Sequence, residues 1–324
     1  MSTLSQDLST LTTTLSLVLG VILIPLGTIG GFLNIIAFSR PNLRKTSCGI
    51  YFLVASIASI ALVLTGQISR LATLSSTSTL LTTFWFCKLR IYLTNVFGLL
   101  ARGLIVLASF DRFLFCSLNV RTRAWCHSKI AIRIIILLTI ISFILPVHIL
   151  IYYELRLSSR SCRSDVSWVG TYDLSYQYIF VVILPSSFMF LFSFLLIRNL
   201  HNQRTRLARK LQTRDKQLIF ILLSQIVFYT IIHISLPINM TYNRLTLNLD
   251  KSRDRIAIEN FLSFLINSEL IYIYFSTTFF LHTIVSPTFR KEFVQIWRKP
   301  NSIVPNVVTA AKARRQRVQA TTIC

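Results

Sequence analysis

The sequence predicts an all-α integral membrane protein, a seven-transmembrane helix bundle with a short amphipathic eighth helix. Three observations favour this fold class. Of the 324 residues, 53% are hydrophobic and only 14% are charged, and the mean hydropathy is +0.62. Seven mostly apolar segments reach the roughly 18 residues that a helix needs to cross a hydrocarbon core of about 30 Å. After the last of them, apolar residues recur at a helical spacing between bases.

The charge of the chain suggests a different class of protein at first. It has 34 Lys and Arg against 11 Asp and Glu, a formal net charge of +23. Such a charge usually points to nucleic acid, but no soluble basic domain has so apolar a composition. The same composition excludes a disordered tail, a disulfide-stapled mini-domain and a coiled coil. A membrane protein with no nucleic-acid partner is what remains.

The predicted spans determine the domain organisation. They cover residues 14–38, 49–74, 85–117, 130–153, 174–199, 217–241 and 259–285. The first 13 residues contain no Lys or Arg, and the apolar stretch after them is too long for a signal-peptide core, so the first span is expected to be retained. The expected units are a short extracellular N-terminus (1–13), a seven-span transmembrane domain (14–285), the amphipathic helix (286–299) and a basic cytoplasmic tail (300–324).

The distribution of basic residues predicts the orientation. With the N-terminus outside, 23 of the 34 Lys and Arg lie on the inner side, 10 lie on the outer side, and Arg102 lies within the third span. Subtracting the acids leaves 23 − 3 = +20 inside and 10 − 7 = +3 outside. We therefore expect a multi-pass protein of the cell membrane with a cytoplasmic C-terminus, whose inner face meets anionic inner-leaflet lipids.

The third span carries an acid–base pair at one end and a cysteine at the other. Cys87 precedes Arg112 by 25 residues, or about 37 Å of helix, which places it on the outer, oxidising side. Cys162 is the only other cysteine predicted outside, so a Cys87–Cys162 disulfide is expected to tie the loop of residues 154–173 to this span. The remaining cysteines are predicted to be thiols on the inner side: Cys48, Cys116, Cys126 and Cys324.

Over roughly residues 14–297 the chain resembles the rhodopsin-like (class A) G-protein-coupled receptors. The resemblance rests on the seven spans, the cysteine pair, Asn34 in the first span, and Asp111-Arg112-Phe113 in place of that family's Asp/Glu-Arg-Tyr. Prolines also fall where the family's fourth, fifth and sixth helices carry them: Pro146, Pro185 and Pro237. The segment that begins at Ser286 looks like the family's eighth helix, with Ser286 able to cap it and Pro287 suited to its first turn.

The resemblance implies a receptor that transmits the binding of an extracellular ligand to a heterotrimeric G protein. Arg112 would be restrained by Asp111 at rest and released when the inner ends of the helices separate. Several of the family's switch residues are replaced, and His282 stands where its seventh helix ends in Asn-Pro-x-x-Tyr. Gln217 replaces the acid at the foot of the sixth helix, which predicts a weakened restraint and raised basal signalling. The expected coupling residues are Asp111, Arg112, Phe113 and His282.

Two ionisable residues lie well inside the predicted spans, where an isolated charge costs several kcal/mol and is usually functional or paired. Arg102 is 10 residues, about 15 Å, outward of Arg112, and Glu269 is 13 residues, about 20 Å, before His282. Since their depths are similar, we expect both to face the interior and to interact directly or through water. The alternative is a neutral Glu269 at the floor of the ligand pocket.

The ligand is weakly constrained by the sequence. Amine receptors of the family use an Asp 18 residues before the Arg, and Thr94 occupies that position here, so a monoamine is not expected. A peptide is favoured, because the outer loops mix both charge signs. The candidate pocket residues, each of which could equally be packing between helices, are Thr94, Asn95, Tyr152, Trp168, Asn267, Glu269 and Tyr272. Asn239 begins a glycosylation sequon, but it lies at the membrane edge, where access is poor.

Two other classes compete with a receptor. A seven-span transporter or channel would have several intramembrane charges along a path, or helices broken at the midplane, and only Arg102 and Glu269 qualify. A receptor-like protein with degenerate coupling also fits the replaced switch residues. An intramembrane hydrolase would need paired Asp residues or His-Glu-x-x-His in the spans, and neither pattern is present. We therefore expect no enzymatic activity, no cofactor and no metal.

Overall fold

The computed structural model describes residues 3–74, 84–117, 119–156, 161–164, 166–202, 213–246, 249–287 and 289–290. The described helices are α1 (Thr3–Phe38), α2 (Pro41–Arg44), α3 (Ser47–Val63), α4 (Ser69–Leu74), α5 (Phe84–Phe115), α6 (Val120–Arg123), α7 (Ser128–Ile144), α8 (Val147–Tyr152), α9 (Ser167–Tyr176), α10 (Leu184–Asn202), α11 (Thr213–His233), α12 (Ser235–Leu245), α13 (Arg253–Phe264) and α14 (Leu270–Val285). Within the described residues, three π-helical segments join consecutive helices of one span: Leu64–Ile68, Gln177–Ile183 and Leu265–Glu269.

Seven of the resulting rods are long and apolar enough to cross a membrane, as the sequence predicts. They are Leu4–Phe38, Ser47–Ala72, Trp85–Phe115, Ser128–Tyr152, Trp168–Asn199, Leu218–Leu245 and Arg253–Val285, and we call them the first to seventh spans. The third span is α5, which carries Cys87 near its start and Arg112 near its end. These two residues name the two ends of the bundle below, the Cys87 end and the Arg112 end.

The first helix begins about ten residues before the predicted span. Residues 10 to 14 are mostly threonines, which hydropathy alone assigns to a loop. In the structure the hydroxyls of Thr10, Thr12 and Thr13 donate to backbone carbonyls four residues earlier, at 2.8 to 3.0 Å. Because these polar side chains bond within their own helix, they continue it instead of ending it.

Prolines interrupt the fourth and sixth spans. In the sixth span α11 ends at His233 and α12 begins at Ser235, two residues before Pro237. Proline has no N–H to donate to the carbonyl four residues earlier, so the helix cannot pass through this point unchanged. In the fourth span the break between α7 and α8 lies at Pro146 itself.

A short hairpin covers the Cys87 end. Strand β1 (Glu154–Arg156) pairs antiparallel with β2 (Ser161–Arg163), and Leu155 lies opposite Cys162. Cys162 forms a disulfide with Cys87, with the Cα atoms 5.7 Å apart. The predicted disulfide is therefore present in the structure, and it ties the hairpin to the start of α5.

The core lies mainly where the first, second, third, sixth and seventh spans meet. Phe38, Phe52, Leu104 and Tyr274 are among its fully buried side chains. Of the predicted amphipathic helix, residues 291–299 lie outside the described part, as do the tail (300–324) and Cys324. What is described agrees with a capped start, because the Ser286 hydroxyl accepts from Phe289 N at 3.2 Å and Phe289 is buried in the core.

Candidate functional site

The acid–base pair at the Arg112 end is buried. The Arg112 Nη2 and Nε atoms lie 2.6 and 3.1 Å from Asp111 Oδ2, and the two residues are 1% and 5% exposed. The guanidinium also lies over the Phe115 ring, with Cζ 4.7 Å from its centroid. Both groups have given up hydration, so each depends on the other for charge compensation.

The third and fifth spans meet next to this pair. Phe113, the third residue of the motif, stacks on Phe192 of α10 at 6.2 Å between ring centroids, and Phe110 lies 5.0 Å from the same ring. On another side, Cys126 Sγ donates to the Asp111 carbonyl at 3.3 Å. Burial raises the pKa of the Cys126 thiol to about 12, so it remains a neutral thiol at physiological pH. The turn of α5 that carries Arg112 therefore contacts both α10 and the segment before α7.

His282 lies in a different cluster. Its Nδ1 is 3.1 Å from Asn34 Oδ1, and the Asn34 amide donates to Thr278 at 3.5 Å. The rings of Phe38, Phe52 and Phe289 surround it, at 5.6 to 5.7 Å between centroids. Among the described contacts none joins His282 to Asp111 or Arg112. The structure therefore separates the predicted coupling residues into an Asp111–Arg112–Phe113 group and a His282 group that links the first, second and seventh spans.

Adjoining cavities occupy the half of the bundle at the Cys87 end. One cavity of about 170 Å³ lies between the second, third, fifth and seventh spans. Four of the predicted pocket residues are on its wall: Thr94, Asn95, Asn267 and Tyr272. A second, of about 220 Å³, shares Thr94, Asn95 and Tyr272 with the first, and a third, of about 380 Å³, shares Asn267 with it. Shared wall residues make these cavities one candidate binding region, which we call the upper cavity.

Glu269 is neutralised by a residue that the sequence analysis assigned to the outer side. Its Oε1 lies 2.6 Å from Arg70 Nη1, and Gln67 Nε2 donates to its other oxygen at 3.4 Å. Arg70 is also fixed by Ser16, at 3.3 Å, and by the Phe264 ring, 4.9 Å away. The predicted direct pair between Arg102 and Glu269 is therefore not formed. Counting residues along a helix gives depth but not the direction of a side chain, and the long Arg70 side chain reaches Glu269 first.

Arg102 is left in the wall of the upper cavity without a carboxylate. It is 4% exposed, and its Nε has no hydrogen-bond partner in the described part of the chain. Its guanidinium extends back along α5 towards Gly98, since a Cβ at Gly98 would lie 2.9 Å from Arg102 Nη2. This direction, towards the start of the helix, is the usual one for a long helical side chain.

Of the predicted pocket residues, Glu269 lines none of the three described cavities, and Tyr152 and Trp168 lie away from them. Their rings contact each other at 4.9 Å between centroids, and both are exposed, at 36% and 51%. Neither is among the residues that line the three described cavities. They pack α8 against α9, which agrees with the packing role that the sequence left open.

Asn239 is not available as a glycosylation site in this fold. It lies inside α12 and is 8% exposed. Its Nδ2 donates to Ser263 Oγ at 3.2 Å and to Asn267 Oδ1 at 3.3 Å, so the nitrogen that a glycan would modify is buried between the sixth and seventh spans. The sequon pattern does not show which face of a helix its Asn occupies.

Three arginines that line these cavities were not singled out by the sequence analysis: Arg70, Arg90 and Arg244. Arg70 and Arg90 both line the 220 Å³ cavity. Each lies within a turn or two of a span end, where a basic side chain is normally expected to reach towards water. A base placed just inside a span end is the sequence signal that could have found them.

No family model and no curated protein matches this chain. In the described part of the chain, no group of three or more His, Cys, Asp and Glu is placed to hold a metal ion.

Proposed function

We propose that this chain is a membrane-embedded G-protein-coupled receptor of the rhodopsin-like kind, which transmits the binding of an extracellular ligand to a heterotrimeric G protein through Arg112. The observation that carries the proposal is the construction of α5. This one helix has a disulfide-tied hairpin at its start, a polar cavity along its first half and a buried Asp111–Arg112 pair at its end. The resemblance of the sequence to that receptor family is the reason for interpreting the cavity as a ligand site and the Asp111–Arg112 pair as the coupling site.

The exposed surface supports membrane insertion. The fourth span presents an apolar face on which Ile136, Leu137, Ile140 and Ile144 are each more than half exposed, at 51% to 62%. A continuous row of large aliphatic side chains facing water would be a strong aggregation site, whereas lipid accommodates it at no cost. The orientation that we propose places the N-terminus outside and the basic Arg112 end against anionic lipids in the cytoplasm.

The proposed mechanism uses the length of α5. Thr94 and Arg102, on the cavity wall, precede Arg112 by 18 and 10 residues, or about 27 and 15 Å of helix. A ligand that binds one arrangement of the spans more tightly shifts the population towards it. If that arrangement separates α5 from its neighbours at the Arg112 end, the Asp111–Arg112 pair opens and Arg112 becomes available to a G protein.

The restraint on Arg112 can be tested in cells that express a promiscuous G protein. Asp111→Asn removes the charge that holds Arg112, so we expect basal second-messenger output to rise several-fold, while Arg112→Ala should reduce it to the level of untransfected cells. Asp7→Asn is the matched control, because it makes the same chemical change at an exposed residue of α1. An N-terminal epitope tag read on intact cells normalises surface expression and also reports the orientation.

Three outcomes would count against the proposal. Equal basal output from wild type and Asp111→Asn would show that Asp111 does not restrain Arg112. A tag that is reached only after permeabilisation would reverse the orientation. An ion flux through the wild type, with no G-protein response, would favour the channel or transporter class instead.

A further inference from the structure

The walls of the upper cavity are strongly basic. Three arginines line its two smaller cavities: Arg70 from the second span, and Arg90 and Arg102 from the third. A fourth, the exposed Arg244 of the sixth span, lines the 380 Å³ cavity. The described residues that line these cavities include no Asp or Glu. Glu269 forms an ion pair with Arg70, which leaves the guanidinium groups of Arg90 and Arg102 facing the two smaller cavities with no acid among the described lining residues.

Arg102 is the more informative of these two. It is 4% exposed, so it cannot rely on bulk water for solvation. Tyr176, Tyr229, His233 and Tyr274 are among the groups close enough to interact with it electrostatically, and none of these four is a carboxylate. A buried cation with no counter-charge costs several kcal/mol in such a position, and residues of this kind are usually functional. An anion bound in the cavity would supply the counter-charge that Arg102 lacks.

We propose that the upper cavity binds an anionic group of the ligand, a carboxylate or a phosphate, and that Arg102 is its charged partner. The inference rests on the proposed receptor function and names the chemical class of its ligand. It narrows the expected peptide to one that presents a negative group, such as a free C-terminal carboxylate, to the cavity.

The geometry suits an anion of modest size. A guanidinium offers parallel N–H donors that match the two oxygens of a carboxylate or phosphate. Gly98 lets the Arg102 guanidinium lie close to the backbone of α5, since a Cβ there would be only 2.9 Å from Nη2. The cavity volume of about 170 Å³ exceeds the roughly 150 Å³ that holds a benzene ring in a protein core. Arg90, nearer the Cys87 end, would attract the same group on its way in.

The test is ligand-dependent thermal stability of the purified full-length chain in detergent. The probes are benzoate, phenyl phosphate and N-acetylphenylalanine, each at millimolar concentration, with benzamide, benzylamine and N-acetylphenylalanine amide as neutral or cationic counterparts. We expect at least one anionic probe to raise the Tm of the wild type and the counterparts to leave it unchanged. Comparison of the three anionic probes distinguishes a phosphate (phenyl phosphate) from a simple carboxylate (benzoate) and from a peptide C-terminus (N-acetylphenylalanine).

Variants assign the effect to Arg102. Arg102→Gln should abolish the shift, and Arg102→Lys, which keeps the charge but loses the paired donors, should reduce it. Arg253→Gln makes the same charge change at an exposed residue at the start of α13 and should leave the shift intact. Without any probe, Arg102→Gln should be at least as stable as the wild type, because it removes an uncompensated charge; a loss of Tm would mean that Arg102 already has a structural partner and would overturn the proposal.

Three further results would also overturn it. They are stabilisation by the neutral counterparts as strong as by the anions, an equal shift with sodium chloride alone, and no shift with any anionic probe. The readout does not involve a G protein. If the chain shows an Arg102-dependent Tm shift but activates no G protein, the receptor proposal fails and the anion site stands. If it activates a G protein but shows no such shift, the anion site fails and the receptor proposal stands.

Discussion

Arg70 and Arg102 lie on neighbouring spans and have opposite surroundings. Arg70 is bonded to Glu269 and Ser16 and lies over the Phe264 ring, whereas Arg102 has no carboxylate near it in the described part of the chain. A buried ion pair such as Arg70–Glu269 stabilises the fold. An uncompensated cation on a cavity wall, such as Arg102, can bind an anion. The two residues are therefore expected to respond differently to substitution.

Charge reversal distinguishes them. Glu269→Arg alone places two cations together and should lower the free energy of unfolding, by about 3 kcal/mol or more for a buried pair. Adding Arg70→Glu should recover most of the lost stability, because it restores an ion pair with the opposite polarity. Adding Arg102→Glu instead should recover little of it. The measurement is the Tm of Glu269→Arg and of its two double variants. Recovery by Arg102→Glu but not by Arg70→Glu would contradict the pairing seen here.

At the scale of residues, the sequence predicted positions along one helix better than contacts between helices. Asp111, Arg112, Thr94 and Asn95 lie where a helix of 3.6 residues per turn puts them, since they belong to one helix. Contacts between spans depend on the rotation of each helix about its axis, which a single sequence does not specify. For this reason Glu269 has an unexpected partner and His282 lies away from Arg112.

Among the elements, the first span is positioned by close approach of helices at glycine. A Cβ on Gly27 would lie 2.7 Å from Ser276 Oγ of α14 and 3.1 Å from a Val63 methyl of α3. Ser276 Oγ in turn donates to the Leu23 carbonyl of α1 at 3.1 Å. Three spans therefore meet at a point where there is no room for a side chain.

Gly27→Ala should consequently destabilise the bundle although alanine favours helix formation. We expect a loss of about 1–3 kcal/mol from overpacking, which exceeds the gain of about 1 kcal/mol in helix propensity. Gly170→Ala, in α9, is the control, because nothing lies within 4 Å of a Cβ at that position. The comparison is made by Tm in detergent, and equal or greater stability of Gly27→Ala relative to Gly170→Ala would show that the first span is not held closely there.

The boundaries of the elements were predictable in part. Hydropathy located all seven spans, and the lack of an N–H at Pro237 accounts for the break in the sixth. The start of α1 was missed because its threonines bond to their own helix, and the π-helical segments were missed because they leave no apolar pattern of their own. Propensity and hydropathy describe what a segment prefers, whereas these details depend on local hydrogen bonds.

For the whole molecule, the net charge of +23 and the buried pair on α5 support one account. In the orientation that we propose from the basic residues, the excess charge lies on the same side as Arg112 and faces anionic lipid and the proposed G protein. The upper cavity lies at the other end of the same helix. Arg90 and Arg102, which have no acid beside them among the described lining residues, make it a second positively charged region that would bind an anion. The sequence predicted the first of these charge distributions, because loops can be sorted by side, but not the second, which depends on packing.

The most direct test of this account is nucleotide exchange on purified G proteins with the chain reconstituted in lipid nanodiscs. A panel of heterotrimers is needed, since the sequence does not specify a subtype. We predict that the wild type accelerates exchange on at least one heterotrimer above empty nanodiscs, that Asp111→Asn accelerates it further, and that folded Arg112→Ala is no better than empty nanodiscs. Equal rates for wild type, Arg112→Ala and empty nanodiscs across the panel would contradict the central claim that this chain signals through Arg112.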